Sequence, residues 1–330
     1  MGRNTSISVI RVFAMLIIIL GHYFVMVGIY DYQLTAVGVE IFLLISGYLY
    51  NGKEIGDTNM WLVNRAKRIL PAYWLSLFIV ISLRKFYNLS IRIKTLLIYL
   101  FCLQGTDRVL INVKIDSING IGQTWFLTIL MICYFLTAIM KKNSKCESFI
   151  RKYARYFMLA AFILQIIGVY IGIQIVYILC FFIGYFWNKN MKVGKKEYIM
   201  FSITMFLSFG LRIMCRRYYD GTIMYDYIVA RWTFILLAVW IFWSLSAFCR
   251  FAKKKTDTLV ASKIWILLDM ASYPLYLVHF MFVNGEFATK NWCANIMLST
   301  VVFILLTLVL GFIVMFITQP RKVLNICKGK

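Results

Sequence analysis

Residues 7–29 read ISVIRVFAMLIIILGHYFVMVGI. A bilayer core about 30 Å thick is crossed by roughly 20 apolar residues in a helix, and this run is long enough. It lacks the small-residue cleavage site of a secretory leader, so it reads as a retained membrane helix. Two ionisable side chains interrupt it, Arg11 and His22. Eleven residues at about 100° each make close to three whole turns, so the two project from one face, about 16 Å apart along the axis. An ionisable group at membrane depth costs several kcal/mol unless paired or solvated, which makes each a functional candidate. The plain alternative is an arginine that snorkels and a histidine that makes one interhelical hydrogen bond.

The rest of the chain extends this pattern. Of its 330 residues 62% are hydrophobic and 15% charged, with a mean hydropathy of +0.78. Soluble domains are about a quarter charged, so a water-soluble fold is excluded, and a disordered or fibrous one with it. The 36 Lys+Arg against 13 Asp+Glu give a net charge of +23. In so apolar a chain this charge points to cationic cytoplasmic loops and not to nucleic acid. Apolar segments cover 7–29, 35–50, 69–83, 91–104, 122–140, 156–172, 174–188, 198–214, 227–249, 264–283 and 294–318. The expected fold is therefore all-α, a polytopic transmembrane helical bundle forming one domain over 1–330, with no soluble domain.

Loop charge orients it. The cationic connections 51–68, 141–155, 188–197 and 250–263 and the tail after Pro320 belong in the cytoplasm. The loops 30–34, 105–121, 215–226 and 284–293 belong outside. Three segments between 51–68 and 141–155 break the parity, and 69–104 is the weak stretch, split by Arg84, Lys85, Arg92 and Lys94. One of its pieces is expected to be re-entrant or interfacial. That leaves about ten crossings of the cell membrane, eleven at most, with both termini cytoplasmic.

Few polar groups lie inside the apolar segments. Glu40 opens the second, where a carboxylate beside His22 would set its tautomer and raise its basicity. Ser46 and Gly47 follow in the same segment, and small residues there allow close helix approach. Arg65 and Arg68 share a helix face three residues apart at the mouth of the third segment, a spacing suited to a phosphate-rich ligand. On this spacing alone, simple positive-inside anchoring is the favoured explanation of them. Pro71 suits a helix start. In the tenth segment lie Asp269, Pro274, Tyr276 and His279. Tyr276 and His279 share a face, and Pro274 is expected to kink the helix and free carbonyls. Arg212 and Arg231 sit near helix ends, within reach of the interface. The eight cysteines are scattered singly, so no metal is expected.

Five of these stretches, in order, resemble the acyltransferase family 3 membrane proteins. They are Arg11…His22; VEIFLLISGYL at 39–49; Arg65-x-x-Arg68 followed by ILPAYW; QTWFL at 123–127; and SYPLYLVH ending at His279. The resemblance implies an O-acyltransferase that takes an acyl group, usually acetyl from acetyl-CoA, on the cytoplasmic side. The acceptor would be a sugar hydroxyl in a cell-surface polysaccharide, exopolysaccharide or lipid-linked precursor. It implies His22 as the essential histidine with Arg11 as its motif partner, and Arg65 and Arg68 as contacts for the CoA phosphates. Trp125, Tyr276 and His279, with Ser46, would line the substrate site. Partners are then acyl-CoA, a carbohydrate acceptor and the lipid bilayer. A polytopic chain with intramembrane ions also suits a transporter or flippase of a glycolipid or acylated sugar, although no internal inverted repeat is visible.

Overall fold

The computed structural model describes residues 4–28, 37–187 and 194–327. The expected loop 30–34 and the start of the expected loop 188–197 lie outside the described residues. The described chain is helical. Its elements are α1 (Thr5–Met26), α2 (Val37–Tyr50), α3 (Thr58–Phe86), α4 (Ile93–Leu100), α5 (Trp125–Lys142), α6 (Ser144–Lys152), α7 (Ala154–Tyr170), α8 (Val176–Tyr185), α9 (Lys195–Tyr219), α10 (Ala230–Phe251), α11 (Lys253–Ala261), α12 (Lys263–Val278), α13 (Ile296–Thr318) and α14 (Pro320–Cys327). A single π-helical turn, Met224–Val229, leads into α10.

Seven of the described helices are long and apolar enough to cross a membrane, and an eighth span results if α6 and α7, bent by 79°, are one broken crossing. This is fewer than the expected ten, and the shortfall has a geometric cause. The apolar segments 35–50, 91–104 and 174–188 fold as helices of 14, 8 and 10 residues. At 1.5 Å per residue they reach about 21, 12 and 15 Å, all short of the hydrocarbon thickness. The weak stretch 69–104 resolves into one long helix, α3, and the short α4. Pro71 is not at a helix start: α3 begins thirteen residues earlier, where the side chain of the N-cap Asp57 accepts from the Asn59 and Met60 amides. Inside the helix Pro71 has no N–H to give the Lys67 carbonyl.

The layers follow from which helices are wrapped. The most enclosed spans are α1, the one built on α5, and the one built on α12, while α9 is the least enclosed. On α9 the side chains of Phe206, Leu207 and Ile213 are more than half exposed, the apolar outer surface a bilayer demands. The short helices α2 and α8 run parallel through the middle in backbone contact. A Cβ on Gly47 would lie 1.9 Å from the Phe181 carbonyl oxygen, and one on Gly184 would lie 2.0 Å from that of Leu44. Any larger residue at either site forces the two helices apart. Parallel α1 and α12 complete the centre, and the site lies between them.

Candidate active site

Two polar pairs bridge α1 and α12 at different heights. Near the start of both helices Arg11 Nη1 donates to Asp269 Oδ1 at 2.9 Å. The second carboxylate oxygen accepts from Ser8 Oγ at 2.8 Å, and Trp265 Nε1 donates to that same hydroxyl at 3.0 Å. Asp269 is 2% exposed and Arg11 is 32% exposed at the side chain. This ion pair is therefore buried on one side, reinforced by neutral donors, and open to a cavity on the other.

At the far end of the same helices His22 Nδ1 lies 2.9 Å from His279 Nε2. The ring planes differ by 8° with centroids 5.2 Å apart, the spacing of rings that meet edge to edge in one plane. His279 Nδ1 is 2.7 Å from the Tyr276 carbonyl oxygen. A carbonyl only accepts, so His279 Nδ1 carries a hydrogen. In the neutral pair His279 Nε2 then accepts from His22 Nδ1, and the lone pair of His22 falls on Nε2. Phe280 packs edge-on to His22 at 5.0 Å.

The break in α12 supplies the carbonyl that orients His279. Pro274 lies within the helix, and after Val278 the backbone tightens into a 3-10 turn, His279–Phe282. The carbonyls of Tyr276 and Leu277 accept from Gln123 Nε2 at 3.3 and 2.9 Å, and Tyr276 Oη donates to the Gln123 carbonyl at 2.5 Å. Gln123 is 4% exposed. It clamps the broken helix in the register that presents His279 to His22.

A cavity of about 630 Å³ opens at the Arg11 end. Lys67, Arg68, Arg321 and Lys322 stand on its rim with Arg11, and Ser46 and Tyr273 line its wall. Its deep end is aromatic: Phe42, Phe126 and Tyr276 sit there with Ile18, and the Phe126 and Tyr276 rings meet edge to face at 5.4 Å. His22 is one helical turn beyond Ile18, about 6 Å further along α1. The histidine pair thus lies behind an aromatic floor and outside the cavity lining.

Several expected site residues fall elsewhere. Glu40 is not placed beside His22. It is 2% exposed and points toward α8 and α10, where the Arg231 guanidinium acts on it electrostatically and Cys180 Sγ donates to its main-chain oxygen. The helical period explains this, since Val39 and Phe42 take the cavity-facing positions of α2. Trp125 is turned away as well, packing on Tyr177 at 4.9 Å with Arg108 over its ring; its neighbours Gln123 and Phe126 reach the site instead. Arg65 lies beside the main cavity, in an adjoining one of about 520 Å³ that shares Arg68. There it donates to Tyr50 Oη and packs over the Tyr50 and Trp61 rings. Ser46 does line the main cavity, but its Oγ donates back to the Phe42 carbonyl of its own helix. Among the described residues no cluster of His, Cys, Asp or Glu could hold a metal ion.

A family model, an acyltransferase domain of type 3, matches residues 4–319. The chain belongs to the acyltransferase 3 family. No curated protein and no solved structure matches it. The family assignment makes the protein a membrane acyltransferase, and both polar pairs and the cavity lining up to Gln319 fall within the matched domain, while Pro320, Arg321 and Lys322 lie beyond it.

Proposed function

We propose that this acyltransferase moves an acetyl group from acetyl-CoA onto a sugar hydroxyl of a cell-surface polysaccharide, exopolysaccharide or lipid-linked precursor. The observation that carries the reading is one arrangement: a cavity with a cationic rim leads to an aromatic floor, and a hydrogen-bonded histidine pair stands directly behind it. Coenzyme A is polyanionic, so the cationic end is assigned to the cytoplasm and to the donor, with Arg68 at its phosphates and Arg65 holding the adjoining rim. The thioester arm runs down the cavity, and the acceptor comes from the opposite end, under the loop 105–121.

His22 Nε2 is the general base. It takes the proton of the acceptor hydroxyl as that oxygen attacks the thioester carbonyl. The C–O bond forms, the C–S bond breaks, and the imidazolium returns the proton to the departing thiolate. His279 accepts from His22 Nδ1–H and stabilises the imidazolium that forms. Arg11 is a positioning residue at the rim, fixed by Asp269.

The test is transfer of label from acetyl-CoA to a sugar acceptor by membranes containing the parent or H22A at equal expression. The parent labels the acceptor and H22A does not. Equal labelling removes His22 from the chemistry. Mass spectrometry of surface glycans from cells with and without the protein identifies the acceptor by the mass of one acetyl group.

A further inference from the structure

We propose that α14 is part of the donor site, and that Arg321 and Lys322 bind the phosphates of a coenzyme A-type donor together with Lys67 and Arg68. The inference rests on the donor reading above and extends it to a segment whose charge looked purely topological.

The placement of α14 is specific. Val323 is fully buried, while Arg321, Lys322 and Leu324 are exposed. One apolar side chain thus seats the helix, which packs on α12 and α13. Its first turn, with the preceding Thr318 and Gln319, then forms one wall of the 630 Å³ cavity. Lys322 Nζ donates to Gln319 Oε1 at 3.2 Å, which holds the ammonium near the rim.

The electrostatics at the rim are one-sided. Among the described residues Arg11, Lys67, Arg68, Arg321 and Lys322 face the cavity, against the single carboxylate of Asp269, which Arg11 already engages. Positive-inside bias explains a basic tail but gives no reason for it to line the same cavity as a second basic helix. A chain of phosphates does, because cations from two helices neutralise more of its oxygens than those of one helix alone. The same chemistry would suit the phosphates of anionic lipid, so the experiment separates the two sources.

Parent and R321A/K322A are compared in nanodiscs of zwitterionic lipid with two donors: acetyl-CoA, and the acetyl thioester of N-acetylcysteamine, which has no phosphate. The expected result is a KM for acetyl-CoA raised about tenfold, the size of two half-exposed ion pairs together. The rate with the phosphate-free thioester stays with the parent's, and R321K/K322R restores the KM. Adenosine 3′,5′-bisphosphate should compete with acetyl-CoA less well in the double-alanine variant. A variant that loses both donors equally, or neither, overturns the inference while leaving the donor reading intact. A KM difference that appears only when anionic lipid is added assigns the cations to lipid and overturns it also. A parent that turns over the thioester but never acetyl-CoA overturns the donor reading, and the inference with it.

Discussion

The two pairs that join α1 to α12 are built from the same helices and do opposite things. At one end the buried Asp269 carboxylate meets the Arg11 guanidinium and the Ser8 hydroxyl, with Trp265 behind. At the other end two imidazoles share one hydrogen bond, and a single backbone carbonyl sets their direction. The first pair has fixed charges and a donor on each oxygen of one carboxylate; it locks the height of α1 against α12. The second holds a proton that can move, with the lone pair of His22 Nε2 at its end. Rigid charge at one end positions mobile protonation at the other.

The sharpest way to break the comparison is to truncate each pair in turn. His22→Ala should cut acyl transfer by about 10²–10⁴-fold, the range for a lost general base, with little change in thermal stability. Arg11→Ala should do the reverse. It strands a buried carboxylate, at a cost of roughly 3 kcal/mol, the low end for a broken buried pair because Arg11 is a third exposed. The readouts are label transfer and the detergent melting temperature. Replacing both Arg11 and Asp269 with apolar residues should recover much of the melting temperature that Arg11→Ala loses. If the double variant stays as unstable as the single one, the pair is not what fixes the helices.

Gln123 ties the two roles together. Gln123→Leu removes both hydrogen bonds to the carbonyls of Tyr276 and Leu277 and leaves those buried acceptors short of a partner, at about 1–3 kcal/mol. The tautomer of His279 is set by the Tyr276 carbonyl, so looser backbone there should lower kcat by roughly tenfold and shift the pH–rate profile, with donor KM unchanged. A purely structural glutamine would lower the melting temperature and leave the pH profile where it was.

Much of this was legible in the sequence, and what was not has definite causes. The shared face of Arg11 and His22 follows from their spacing, and both lie on the α12 side of α1. The partner of Arg11 was also within reach. Asp269 and His279 are ten residues apart and Arg11 and His22 eleven, which in two parallel helices puts acid beside base and histidine beside histidine. Pairing His22 with Glu40 missed this because closeness in sequence outweighed register. The short spans α2 and α8 read as full crossings because hydropathy counts apolar residues, and a helix buried among helices is as apolar as one in lipid. The basic tail was absorbed into topology, since charge alone does not say which cations end on a cavity rim. Gln123 opens the QTWFL stretch two residues before Trp125, and an uncharged amide there carries no sequence signal that it clamps a distant broken helix.

The smallest expected effect sharpens the comparison most finely. Ser46 lines the same cavity as Arg11 and Tyr276, yet its hydroxyl is already committed to the Phe42 carbonyl at 2.7 Å. A hydroxyl bonded back to its own helix has its hydrogen spent and offers the cavity only lone pairs. Removing it leaves that carbonyl with its ordinary helical amide partner, so Ser46→Ala should change stability by no more than about 0.5 kcal/mol and donor KM by less than about twofold. If Ser46→Ala instead lowers kcat as His22→Ala does, a lining hydroxyl joins the chemistry, and proton movement is not confined to the histidine end.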